Sequence, residues 1–218
     1  MRYNETSVAL IEKPFPAGGA NRVASAEEKL GVRFPASVRE WYSAIDGRYV
    51  LSRYSNDDVA LEPEDFRLES VEGKRLVAVL LENQGVCWWG FDLDAGDDPP
   101  VYVNLDPPPD NLCVYSSSFS EFTFVRVFDH EGFWDSDRFS LDTFPPLTTE
   151  DLEFLTQKFA QQPFSKGWPG TDTYRFLSEL GRITIWQSEE QADWTLLAKS
   201  PAALAQLRGE VAHLWRCF

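Results

Sequence analysis

Between Ala36 and Ile45 the apolar residues Val38, Trp41, Tyr42 and Ile45 recur at i, i+3, i+4 and i+7, the spacing of a helix that turns one face to a core. Phe34-Pro35 opens this helix, and Gly47 is expected to end it. Ahead of it, Ser25 and Glu28 have the spacing of a capping box, which predicts a short helix over Ala26 to Leu30. Gly31 can take the left-handed conformation that stops it. The period then changes. Leu76 to Leu81 is a run of Leu, Val and Ala, and Val86 to Phe91 carries Cys87, Trp88, Trp89 and Phe91. Val101 to Asn104 is bracketed by Pro99-Pro100 and by Pro107 to Pro109, which cannot donate to a ladder. These three segments read as strands, and their short connections, beginning with Asn83-Gln84-Gly85, predict an antiparallel meander.

Helical spacing returns after Ser118 and Glu121, a second capping box, with Phe119, Phe122, Val125 and Phe128 on one side. Residues 131 to 147, with Gly132, Pro145 and Pro146, read as a loop. Thr148 and Asp151 cap a helix carrying Leu152, Leu155 and Phe159, and Gly167-Trp168-Pro169-Gly170 is a turn. A segment from Arg175 to Leu180 stops at Gly181. Arg182 to Gln187 and Trp194 to Ala198 alternate as strands. Ser200-Pro201 starts a last helix with Leu204, Leu207, Val211 and Leu214 on one face. The pattern predicts an α+β fold, a largely antiparallel sheet with helices packed on it, over residues 1–147. A C-terminal α/β extension of helix, two strands and helix follows over 148–218, expected to pack on the same body.

Composition supports a packed core, with 43% hydrophobic and 14% aromatic residues. Cys87, Cys113 and Cys217 are odd in number and widely spaced, which suggests neither a disulfide framework nor a zinc site and fits reduced thiols in a cytoplasm. The N-terminus shows no signal-peptide pattern, and the longest apolar runs are strand-sized, so a cytoplasmic location is expected. The net charge of −15 argues against nucleic acid or an anionic membrane as a direct partner and allows a basic protein. Residues 57 to 110 hold fourteen acidic and three basic side chains, so −11 of the −15 sits in a quarter of the chain. Such a run is either a set of solvated loops or a negative face that attracts a cationic partner.

Motifs for chemistry are missing. There is no Gly-x-Ser-x-Gly elbow, no Walker loop and no dinucleotide fingerprint. His130 and His213 read as helix-end or surface residues rather than as bases. Asp92 to Asp97 resembles a calcium loop, but Gly96 and Asp97 occupy its fifth and sixth positions and Val103 its twelfth, where a ligand, Gly and Glu belong. No spacing selects any pair of carboxylates for acid–base work on a sugar. No catalytic residue, metal or cofactor is expected.

The block Glu27-Glu28-Lys29-Leu30-Gly31-Val32-Arg33-Phe34-Pro35, followed by Val38-Arg39-Glu40-Trp41-Tyr42 and Asp46-Gly47, resembles the opening of the SUKH superfamily (Smi/Knr type). Glu82-Asn83-Gln84-Gly85-Val86, Trp88-Trp89-Gly90 and Asp97-Asp98-Pro99-Pro100-Val101-Tyr102 look like its central strands, and Ser117-Ser118-Phe119-Ser120-Glu121-Phe122 like its step from serine into helix. The resemblance covers about residues 20 to 130. It implies a SUKH-like α+β fold and a role in protein–protein interaction without catalysis. Bacterial members resemble immunity proteins that bind and block a cognate polymorphic toxin, often a nuclease; fungal relatives are regulatory scaffolds of cell-wall synthesis.

An acidic inhibitor can mimic the phosphates that a basic nuclease binds. The expected partner-binding residues are therefore Asp57, Asp58, Glu64, Asp65, Asp94, Asp97 and Asp98. A scaffold would instead show an exposed aromatic patch, with Trp88, Trp134 or Trp168 as its candidates.

Overall fold

The structure, a computed structural model, describes residues 1–52, 58–105, 111–132, 137–166 and 171–215, with only the backbone of Asn111. The chain divides into two units, Met1–Glu131 and Gly132–Phe218.

The first unit opens with four helices, α1 (Glu5–Ala9), α2 (Ala20–Leu30), α3 (Ala36–Ala44) and α4 (Gly47–Ser52). Helix α2 begins six residues earlier than the pattern suggested. Its N-cap is Gly19, and Ser25 and Glu28 lie exposed inside the helix, so they are not a capping box. Val23 and Ala26 form its buried face. Gly31 does end it, at φ 65°, with the Gly31 and Val32 amides donating to Glu28 and Glu27 carbonyls. Val38, Trp41 and Tyr42 of α3 are buried as their spacing requires. Gly47 does not close that helix: α3 stops at Ala44, Ile45 is extended, and Gly47 starts α4. Glycine is needed there because a Cβ would lie 2.4 Å from Tyr42 Cε1 and 2.7 Å from Trp41 Nε1.

A wholly antiparallel sheet follows, of β1 (Val59–Ala60), β2 (Arg67–Val71), β3 (Lys74–Leu81), β4 (Cys87–Asp92), β5 (Val101–Leu105) and β6 (Asn111–Ser116). Its order is β1-β3-β4-β5-β6, with β2 also paired to β3. The expected meander is β3–β4–β5. Strand β2 was not expected, because its face alternates Arg67, Glu69 and Val71 and reads as polar. Glu72 and Gly73 turn it into β3, both at positive φ (49° and 77°), as a two-residue hairpin requires. Helix α5 (Phe119–His130) returns across the sheet, its N-cap Ser118 accepting from the Glu121 amide at 3.1 Å. One sheet face packs on the helices through rings: Phe91 meets Phe34 at 5.9 Å and Phe119 at 5.8 Å, and Tyr115 meets Phe122 at 6.0 Å. The other face carries a smaller cluster of Val71, Leu76 and Tyr102, with Trp88 and Leu112 against it.

The second unit has its own antiparallel sheet: β7 (Phe139–Phe144), β8 (Ala160–Gln161), β9 (Ser165–Lys166), β10 (Asp172–Leu177), β11 (Gly181–Gln187) and β12 (Ala192–Ala198). The order is β7-β12-β11-β10-β8, with β9 also on β10. Helices α6 (Thr149–Lys158) and α7 (Pro201–Val211) supply Leu155, Leu207 and Val211 to a core with Phe176, Ile183, Ile185 and Trp194. The Thr148–Asp151 capping box forms in both directions, and Ser200 caps α7. The unit is therefore α+β rather than α/β, and it starts before residue 148. Phe139–Phe144, read as loop, pairs in full register with β12, from Phe139↔Leu197 to Phe144↔Ala192. Its interleaved Ser140, Asp142 and Thr143 hide a strand whose partner lies some fifty residues on. Likewise Arg175 to Leu177 belongs to β10, paired with β11.

Candidate interaction surface

The acidic side chains singled out from the sequence separate into three groups. Asp58 is buried and bonds Arg126 at 2.6 Å, with 9% and 5% of the two side chains exposed; it holds the fold together and offers nothing to a partner. Asp98 caps α5 from outside, accepting from the Ser120 amide at 2.9 Å and its hydroxyl at 2.5 Å. Its charge sits at the positive end of that helix. Neighbouring Asp97 is exposed, and its carbonyl accepts from the Ser37 amide of α3 at 2.9 Å. Glu64 and Asp94 are in surface ion pairs, with Arg22 at 2.6 Å and Arg75 at 2.5 Å. Each pairing holds the carboxyl below its ordinary range, the arginine hydrogen bond being the main cause. Asp65 is exposed, and neither it nor Asp97 has a side-chain bond among the described residues. Asp57 lies outside the described residues.

The stretch Asp92 to Asp97 is a turn closed by Lys74–Asp92 (3.3 Å) and Arg75–Asp94. Among the described residues no group of three or more His, Cys, Asp or Glu is placed to hold a metal ion. His213 packs edge-on against Phe154 at 4.6 Å, and His130 is the last residue of α5.

The N-terminal segment is tied down by a carboxylate. Glu40 accepts from the amides of Arg2, Tyr3 and Asn4 at 2.5, 2.8 and 2.8 Å. Behind it, the fully buried Asn4 donates to the Ser37 carbonyl and accepts from Thr123, each at 2.9 Å. Partial burial alone would raise the Glu40 carboxyl; the three amides outweigh it and hold it below 4.5. A depressed folded value stabilises the fold fully above the ordinary pKa and loses that contribution as the pH falls through the folded value. Glu40→Gln is therefore expected to cost about 1 kcal/mol near neutrality, discounted for solvent screening. The gap from wild type should be full above the ordinary carboxylate range and close as the pH falls through and below it, read by denaturant titration. A gap independent of pH would assign the effect to shape alone.

Two features escaped the sequence reading. One is a cavity of about 440 Å³ beside α4, lined by Asp46, Arg48, Tyr49, Ser52 and Glu62. Asp46 and Glu62 are far apart in sequence and follow no periodicity, so only an Asp-Gly step marked the place. The other is the sheet face opposite the helices, where the half-buried Trp88 borders a groove with Arg67, Glu69, Val71, Leu81 and Asn104, and Val114 is 53% exposed. Trp134 and Trp168 lie outside the described residues.

The first unit is an α+β domain whose helices cover one face of an antiparallel meander, with charged turns and a small apolar cluster on the second sheet face. The SMI1 / KNR4 family (SUKH-1) matches residues 20–124, from the first residue of α2 into α5 and across all six strands of the first sheet. The match supports SUKH superfamily membership for this domain; the second unit lies beyond it. No curated protein and no solved structure matches the chain.

Proposed function

We propose that the protein is a non-catalytic immunity protein that binds and neutralises a cognate polymorphic toxin, a basic nuclease, through its acidic surface. The supporting observation is the charge left outside after the fold has used its share. Asp65, Glu69, Glu72, Asp94 and Asp97 are exposed, against the exposed cations Arg67 and Arg75. A surface of this kind raises the encounter rate with a basic partner. Location in the cytoplasm fits this reading, and no helix among the described residues is long and apolar enough to cross a membrane.

Affinity capture with the tagged protein, washed at low and then high salt, tests it. One basic protein, retained in near-stoichiometric amount and losing a toxic activity on binding, is the expected result. With that partner, reversing Asp65, Glu69 and Asp97 to Lys should slow association about tenfold at low salt and flatten its salt dependence. Asp65 and Asp97 make no side-chain bond among the described residues, so thermal stability should hardly change. Unchanged association would remove the electrostatic account. A regulatory scaffold of the cell-wall type is the second reading, favoured by the half-buried Trp88 and the exposed Val114. Capture of envelope or housekeeping proteins, with no effect on any toxic activity, would move the weight there.

A further inference from the structure

The groove on the second face of the first sheet has a volume of about 360 Å³, inside the range of roughly 300–1,000 Å³ that small-ligand sites occupy. Four strands build it. Arg67 and Glu69 come from β2, Ala78 and Leu81 from β3, Trp88 from β4 and Asn104 from β5. Trp88 pairs across the ladder with Leu81 on one side and Asn104 on the other, so these three stand in a row on one face. Arg67 and Glu69, two apart on β2, share a face as well. Beside them the β3–β4 register slips between Ala78 and Leu80, a bulge of the kind that bends a strand and re-aims its side chains.

The polar groups of this groove are not engaged elsewhere in the fold. Arg67 and Glu69 are exposed, and neither makes a side-chain hydrogen bond or ion pair among the described residues, not even with each other. Asn104 is 7% exposed and still lines the groove. Trp88 is half-buried, and its indole lies over Gly90, where a Cβ would meet Trp88 Cζ3 at 2.8 Å. The missing side chain lets the ring settle against the strand instead of standing away from it.

This set of groups excludes most ligand classes. An anion would meet Glu69 and a chain of net charge −15. An organic cation would meet Arg67. A purely apolar ligand would strip water from Arg67, Glu69 and Asn104 without replacing it. A neutral, hydroxyl-rich molecule suits them all, because hydroxyls both donate and accept and can satisfy a guanidinium, a carboxylate and an amide side by side. A sugar ring also offers a C–H face to the negative face of an indole. We propose that the groove is a saccharide-binding site, with Trp88 as its stacking platform and Arg67, Glu69 and Asn104 as hydroxyl partners. The site goes beyond the immunity reading and does not depend on a toxin.

The probes are cellobiose, maltose and N,N′-diacetylchitobiose, each titrated into the full chain and followed by two-dimensional amide NMR, with adenosine as a flat aromatic control. Saturable shifts at Arg67, Glu69, Trp88 and Asn104 are expected with at least one sugar and not with adenosine. Trp88→Ala should weaken that binding about tenfold. Arg67→Ala, at an exposed position that threatens the fold less, should weaken it about fivefold, with thermal unfolding confirming that each variant is folded. No saturable shift with any of the three sugars, shifts confined to other parts of the chain, or undiminished binding in the folded variants would overturn the proposal. Adenosine binding as tightly as the best sugar would overturn it too, since the groove would then select flat rings rather than hydroxyls.

Discussion

Arg126→Met is expected to destabilise the first unit by about 3–5 kcal/mol, because it strands a buried carboxylate. The guanidinium, carried on α5 and buried, bonds Asp58 at 2.6 Å and lies 5.4 Å from the Trp89 ring centre. Burial works against its charge, and Asp58, Tyr115 and Asp129 together more than compensate. Met fills much of the same volume, so the loss would come from the uncompensated Asp58 rather than from a hole. Pairing it with Asp58→Leu should restore most of the stability, since replacing both members of a buried pair is often close to neutral. Urea titration followed by amide exchange at α5 and β4 reads the effect locally, which suits a chain of two units better than one global transition. A loss below about 1 kcal/mol, or no recovery in the double variant, would show that water reaches the pair. Asp58→Lys should fail the same way, and for this reason Asp58 does not belong among surface contacts.

Phe119→Ala should cost a comparable amount, about 3–5 kcal/mol, by a different mechanism. Phe119 is fully buried at the first position of α5, with ring centres at 5.8 Å (Phe91), 6.0 Å (Phe122) and 6.4 Å (Tyr42). Those neighbours come from a strand, the same helix and a second helix, so they cannot collapse together into the space. Phe119→Leu keeps most of the volume and should cost less than about 1.5 kcal/mol. The same urea titrations distinguish the two. Equal losses for Ala and Leu would mean that ring geometry matters more than filled volume.

Local signals in the chain were enough for much of the first unit. The stripe Val38, Trp41, Tyr42, the glycine stop at Gly31 and the runs that became β3, β4 and β5 each depend on interactions within a few residues. The same locality misled at Ser25 and Glu28, because a capping-box spacing also occurs on the solvent side of a longer helix. It hid β2 and β7, whose polar alternation becomes a strand only when a partner strand supplies the ladder.

Electrostatics followed the same division. The sequence by itself determined that the protein is acidic, that the excess lies in residues 57 to 110, and that the opening block resembles the SUKH superfamily. Only the tertiary structure decided which carboxylates remain outside. Asp58 meets Arg126 across 68 residues, Asp98 caps a helix starting 21 residues later, and Glu62 and Asp46 line one cavity. A charge has no periodicity to show which way it points. Its role is set by whatever cation, amide or empty space the fold brings to it, and those partners are assembled from parts of the chain that local spacing does not connect.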